Sequence, residues 1–296
     1  MPDLSATLSI LTPAPGVFAY YDGRIAGKRL HSPDDNWLDD GAYALGVATY
    51  AIVEGSEAIV YDTHISLDHA RAIRRHLESL GVTNIRVVLS HWHTDHVAGN
   101  EVFADCEIIA NQLTAETLEA NRAKLETGEP PITPLVMPNR LFRDRLVLTL
   151  GSRTVELLQF DIHSADGTVL WLPEEGLLLA GDTVEDTVTY ISEPEHTATH
   201  IRELDRLLTL PIRRILPNHG DPEVIKAGGY GTTLIEANRD YLKRLMDDVS
   251  HPGLDSQTLA QFVAADVAAG RIGYFEPYEA VHRQNIAAMR GVALTK

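Results

Sequence analysis

A chain of 296 residues, 44% hydrophobic and 23% charged, has the composition of a globular protein with one large core or two small ones. Its 42 acidic side chains against 25 basic ones give a formal charge of −17, which argues against a nucleic-acid backbone or an anionic membrane surface as partner. The single cysteine, Cys106, excludes an internal disulfide and any cysteine-based zinc finger.

The opening MPDLSATLSILTPAP has no basic stretch, and no run in the chain reaches the length of a membrane span, so a cytoplasmic protein is expected. The N-terminal segment, rich in Gly, Pro and Asp, carries Tyr20, Tyr21 and Trp37. These residues either shape one rim of a pocket or belong to a packed arm, and the arm is the preferred reading. Residues 47–53 and 58–62 are β-branched runs around EGSE and predict a hairpin. Leu67, Ala70, Ile73, Leu77 and Leu80 recur at helical spacing before Gly81, which predicts a helix over 66–80. The continuous apolar run IRVVLS (85–90) suits a buried strand and delivers the chain into HWHTDH.

A short strand at 107–110 and a helix over 114–127 come next, then an extended loop at 129–139 containing four prolines. Strands are predicted at 145–150, 154–160, 168–172 and 177–181, a helix at 197–209 and a last strand at 213–217. From 231 onward the pattern is helical: Leu234, Tyr241, Leu242, Leu245 and Val249 share one face, and further helices are predicted near 256–269 and 277–291. This order of elements predicts an α/β fold with sheets packed together and helices outside.

His91, His93, Asp95 and His96 lie within six residues, directly after the buried strand. Imidazole and carboxylate are the donors that suit zinc, iron and manganese, and the ends of strands are where α/β folds place their sites. Such a motif needs further donors to close a coordination sphere. His163, Asp182 and His219 each follow a predicted strand and are the candidates.

On these residues the chain resembles the metallo-β-lactamase superfamily over roughly residues 45–222. SHWHTDH matches the family's HxHxDH signature, His163 its next histidine, Gly181-Asp182 its GD, and His219 in NHG its last histidine. Asp62 in YDTH matches the acid that supports the ligands from the end of an early strand. The resemblance implies a four-layer αββα sandwich holding two zinc ions, with iron or manganese as alternatives. One ion would take His91, His93 and His163, the other Asp95, His96 and His219, with Asp182 bridging them. It further implies a hydroxide between the ions that cleaves an ester, thioester, lactone or amide of a small molecule. Residues 1–230 would form the catalytic domain, and 231–296 a helical extension that packs on it, caps the pocket or mediates a homodimer.

Asp182 stands where zinc β-lactamases of the first subclass have cysteine, and is instead like glyoxalase II, the lactonases and the phosphodiesterase branch. SHWHTDHVAGN resembles glyoxalase II, but Lys243, Arg244, Arg271 and Arg283 fit no glutathione-binding pattern, and GHTPG is absent around His163. A mononuclear iron persulfide dioxygenase and a phosphodiesterase are the alternative readings. Tyr190, eight residues after Asp182, either reaches over the site or packs elsewhere. The other histidines, His31, His64, His69, His76, His196, His200, His251 and His282, match no ligand position and default to surface or capping roles, although His64 lies close enough to Asp62 to support the ligands.

Overall fold

The computed structural model describes residues 3–294. Its two sheets follow the chain. Strands β1 (Ser9–Ala14), β2 (Val17–Asp22), β3 (Val47–Glu54), β4 (Glu57–Tyr61), β5 (Asn84–Val88), β6 (Glu107–Asn111) and β7 (Arg140–Phe142) form a seven-stranded sheet in sequential order. Strands β8 (Arg145–Leu150), β9 (Arg153–Gln159), β10 (Thr168–Leu172), β11 (Leu177–Gly181) and β12 (Arg214–Pro217) form a second sheet in the order β12-β11-β10-β9-β8. The first sheet is antiparallel through β4 and parallel from β4 to β7. In the second, only the β11–β12 pair is parallel.

Side chains alternate across the first sheet, and both of its faces are covered. Ala48, Tyr50, Ile52, Ile59, Tyr61 and Val88 join the cluster that contains the second sheet. Ala51, Ala58, Val60, Ile85 and Val87 join a separate cluster under the helix Leu67–Ser79, which contributes Ala70, Ile73 and Leu77. Burial on both faces explains why these strands read as unbroken apolar runs rather than as alternating ones. The helices Thr197–Leu207, Thr233–Asp248 and Tyr278–Leu294 supply Leu204, Leu207, Leu234, Tyr241, Leu245, Ile286 and Met289 to the second sheet's cluster. The layers therefore run helix, sheet, sheet, helix. Among the described residues, no helix is long and apolar enough to cross a membrane.

Two expected helices break, and the expected packed N-terminal arm takes a definite form. The N-terminal arm is a β-hairpin that extends the first sheet, turning at Gly16 with φ +70°, where a Cβ would meet the Val53 carbonyl at 2.8 Å. Tyr20 and Tyr21 are thereby buried: the Tyr20 hydroxyl pairs with His76 Nδ1 at 2.9 Å, and that of Tyr21 donates to the Gly220 carbonyl at 3.2 Å. Trp37 opens a π-helical turn, Trp37–Tyr43, and donates Nε1–H to the Pro130 carbonyl. The helix expected over 114–127 breaks at Asn121 into Gln112–Ala120 and Arg122–Glu126, and the one near 256–269 breaks at Val263 into Leu259–Phe262 and Ala264–Ala268.

The C-terminal helices also hold the segment that follows β11. Asn238 Oδ1 accepts from the Thr189 N–H at 2.7 Å, and Asn285 Oδ1 from the Ile191 N–H at 2.8 Å. The Tyr278 hydroxyl donates to Glu185 Oε2 at 2.9 Å, while Glu185 Oε1 accepts from the Tyr190 N–H at 3.0 Å. Each bond satisfies a backbone or carboxyl group that would be costly to bury unpaired. Together they fix the backbone around Tyr190.

A candidate metal centre between the two sheets

Strand ends and sharp turns bring the seven motif residues together. β5 ends at Val88, three residues before His91. The single helical turn Thr94–Val97, with His93 at its N-cap, then carries Asp95 and His96. Asp62 follows β4 with φ +68°, and His163 follows β9 with φ +66°, left-handed conformations that non-glycine residues seldom adopt and that recur at functional sites. Asp182 follows β11 through Gly181, where an added Cβ would lie 2.9 Å from both Ser90 Cβ and the Tyr61 hydroxyl, so only glycine fits. His219 follows β12 by two residues.

The donor atoms form two groups that share Asp182. His91, His93, His163 and Asp182 make one, and Asp95, His96, His219 and Asp182 the other; within each, the ligating atoms lie within 4.8 Å of one another. In the first group His163 Nε2 is 3.0 Å from His93 Nδ1, and Asp182 Oδ2 lies 3.6 Å from His91 Nε2 and 3.7 Å from His163 Nε2. In the second, Asp182 Oδ2 lies 3.1 Å from His96 Nε2 and 3.5 Å from His219 Nε2, and Asp95 Oδ2 is 3.2 Å from His219 Nε2. A tetrahedron with bonds of about 2.0–2.1 Å has edges of about 3.3 Å, the zinc–imidazole scale. His91 Nε2 and Asp182 Oδ1 are buried without a hydrogen-bond partner, as donor atoms reserved for a cation would be. The residues fit a divalent metal.

A second ring of contacts orients the imidazoles. His163 Nδ1–H donates to the Tyr190 carbonyl at 2.8 Å, and His219 Nδ1–H to the Gly46 carbonyl at 2.7 Å, which turns each Nε2 toward the centre. His91 Nδ1 pairs with the Ser90 hydroxyl at 2.9 Å. His96 Nδ1 is 2.9 Å from Asp62 Oδ2, and Asp62 in turn accepts from the Ser90 N–H and the Asn218 side-chain amide, each at 2.6 Å.

The two groups differ electrostatically. Burial, reinforced by neighbouring imidazoles, pushes the His91 and His93 pKa values down, that of His93 to about 3, and burial also lowers that of His163. Burial acts the same way on His96 and His219, but there the nearby carboxylates, Asp182 foremost, outweigh it and raise both above the ordinary histidine range.

The residues singled out beyond these fall into place unevenly. Tyr190 is 37% exposed, with its ring 6.2 Å from that of His163, and its backbone carbonyl makes the tighter contact. His64 stacks on His69 at 4.4 Å, and His69 is paired with Asp22. Ser90, Asn218 and the Gly46 carbonyl escaped the sequence reading. Ser90 and Asn218 immediately precede ligand-position histidines, which was the available signal; the Gly46 carbonyl left none. A cleft of about 470 Å³ lined by Arg74, Asn84, Arg86, Asp105, Cys106 and Glu107 opens at the starts of β5 and β6, away from the histidines.

Residues 42–219 match the family model described as the metallo-beta-lactamase superfamily. A beta-lactamase-like protein 2 homolog from Caenorhabditis elegans is 26% identical over 226 residues, 75% of this chain and 72% of that one. An acyl-coenzyme A thioesterase from Gallus gallus is 25% identical over 211 residues, 62% of this chain and 76% of that one. Of the fungal relatives that match, the chain spans about half the length. Among solved structures, a metallo-beta-lactamase from Pontibacter korlensis superposes with a TM-score of 0.62 over 80% of this chain and 99% of that one, at 15% identity. The chain belongs to the metallo-beta-lactamase superfamily, as a metal-dependent hydrolase.

Proposed function

We propose that the chain is a dinuclear zinc hydrolase that cleaves a small-molecule thioester. The observation that carries the reading is Asp182, whose one carboxylate faces both histidine groups from between the sheets. His91, His93 and His163 would hold one ion, and Asp95, His96 and His219 the other. Bound divalent ions supply Lewis acidity toward a carbonyl and lower the pKa of water near them. The chain's own part is to hold the donors in place: Asp62 fixes the His96 ring, Tyr190 and Gly46 fix His163 and His219, and the C-terminal helices fix Tyr190. The mixed imidazole and carboxylate donors support zinc, with iron or manganese as alternatives. The thioester is supported by the relative named an acyl-coenzyme A thioesterase.

The test is a panel of acyl-coenzyme A thioesters, lactones, phosphodiesters and nitrocefin, run on protein of measured metal content. Thioesters should give the highest kcat/KM with two zinc ions per chain, and nitrocefin at most slow turnover. A higher kcat/KM on another class would overturn the substrate assignment. One iron per chain with oxygen uptake on a persulfide would overturn the hydrolase.

A further inference from the structure

A second constellation lies outside the centre. Asp161, between β9 and His163, meets Glu193, which caps the turn Pro194–His196, His196 at that turn's end and His200 of the helix Thr197–Leu207. Their donor atoms lie within 4.8 Å of one another. His196 Nδ1 is 3.3 Å from Asp161 Oδ2 and 3.3 Å from Glu193 Oε2, and His200 Nε2 is 3.2 Å from Asp161 Oδ1. These are again the edge lengths of a coordination polyhedron with bonds of about 2.0–2.2 Å. His200 is 1% exposed, and its Nε2 points into the group without a hydrogen-bond partner. His196 and His200 are four residues apart at the start of one helix, so their rings project from the same face.

We propose that Asp161, Glu193, His196 and His200 form an additional divalent-cation site, selective for zinc and similar borderline metals over magnesium or calcium. Two imidazoles and two carboxylates are the donors for such ions, whereas magnesium and calcium favour oxygen alone. The two carboxylates match the charge of one dication. They are needed all the more because the helix N-terminus beside them disfavours a bare cation. The His196 side chain is 42% exposed, so an ion can reach the group from solvent.

The site would act as a brace. Asp161 is two residues before His163. Glu193 accepts the Ala165 N–H at 2.9 Å, and Ser192 donates its hydroxyl to the His163 carbonyl. An ion here would tie the two loops that position His163 and Tyr190. The competing account is direct pairing of the two imidazoles with the two carboxylates, with no metal entering.

The experiment compares bound zinc and melting temperature for wild-type protein, His196→Ala, Glu193→Gln and Asp161→Asn, each stripped with chelator and dialysed against buffered free zinc. His196→Ala changes an exposed side chain and serves as the variant that folds. Wild-type protein should hold one more zinc than His196→Ala, or bind the extra ion at least about tenfold more tightly, and the zinc-dependent rise in melting temperature should shrink in all three variants. Turnover by His196→Ala under saturating zinc should stay within about threefold, because the central donors are untouched. Equal zinc content and equal melting shifts in wild type and His196→Ala would overturn the site. Loss of zinc in His196→Ala alone, with both carboxylate variants unchanged, would also overturn it, since that is the behaviour of an isolated histidine pair.

Discussion

The two halves of the centre use the same residue types and solve opposite electrostatic problems. Among the described residues, Asp182 is the one carboxylate grouped with His91, His93 and His163, and burial holds the imidazoles neutral. Around His96 and His219 the carboxylates Asp95, Asp182 and, behind them, Asp62 draw protons onto the rings. Their outer supports differ at one ring: His91 pairs with a hydroxyl and His163 and His219 with backbone carbonyls, whereas His96 meets a buried carboxylate. The comparison teaches that a ligand set cannot be judged by counting histidines. The three-imidazole half is ready for a metal at neutral pH, whereas in the mixed half the metal must displace protons first.

The substitution with the largest expected effect removes what the halves share. Asp182→Asn is nearly isosteric but leaves no charge between the two groups; kcat should fall by roughly 10³-fold or more, with metal content reduced in both halves. Steady-state kinetics and elemental analysis check it, and wild-type turnover with two ions bound would remove Asp182 from the bridge. Next, the halves should respond differently to loss of one ring. In metal-free protein His96→Ala strips the buried Asp62 of its charged partner and should cost about 3 kcal/mol in urea unfolding. His93→Ala removes a neutral, partly exposed ring and should cost about 1 kcal/mol or less, while still abolishing turnover of the metal-loaded enzyme.

Asp62→Asn leaves every central donor in place and weakens the support of one. Metal affinity in the mixed half should fall by about 10–100-fold, read by competition with a chelating dye, with the three-imidazole half unaffected.

Proton linkage separates the halves more gently. Folded His93 titrates near 3, but unfolded it titrates near 6.5, so below about pH 6.5 the unfolded chain binds the proton first and stability is lost as acid is added toward pH 3. His219 is shifted upward, so its contribution is complete below 6.5 and is lost as pH rises through its folded value. In metal-free protein, urea midpoints against pH should therefore fall less steeply on the acid side for His93→Ala, and less steeply on the alkaline side for His219→Gln. The smallest effect should come from His76→Ala, which breaks the bond to the Tyr20 hydroxyl and the edge contacts with the Phe18 and Tyr20 rings, far from the centre. Stability should drop by about 1 kcal/mol and kcat should not change.

Much of this was legible because β5 and β11, two of the strands that deliver the ligands, are largely buried on both faces and the helices are amphipathic. The runs 47–53, 85–90 and 177–181 fall where β3, β5 and β11 form, and motif residues follow the ends of β5 and β11. The β1–β2 hairpin was hidden because Pro13, Pro15 and Gly16 break its pattern at the turn, although Val17–Asp22 is apolar enough to be a strand. The breaks at Asn121 and Val263 interrupt helices whose apolar spacing runs on through them. Backbone carbonyls that orient rings, at Gly46 and Tyr190, carry no side-chain signature. His196 and His200 looked like surface histidines because their carboxylate Asp161 lies 35 and 39 residues away in sequence and joins them only when β9 packs beside the helix.

Four of the central donors, His91, His93, Asp95 and His96, leave the first sheet after β5, while His163, Asp182 and His219 leave the second after β9, β11 and β12. Neither sheet alone owns a complete coordination sphere. The ions would therefore act as a clasp that closes only once the sandwich has assembled, and any free energy of binding would be free energy holding the sheets together. At a free metal concentration one hundred times the dissociation constant, each ion would add about 2.7 kcal/mol against separation of the layers. Refolding in the presence of metal should leave the early, local steps unchanged and show its effect in the last one, the docking of one sheet onto the other.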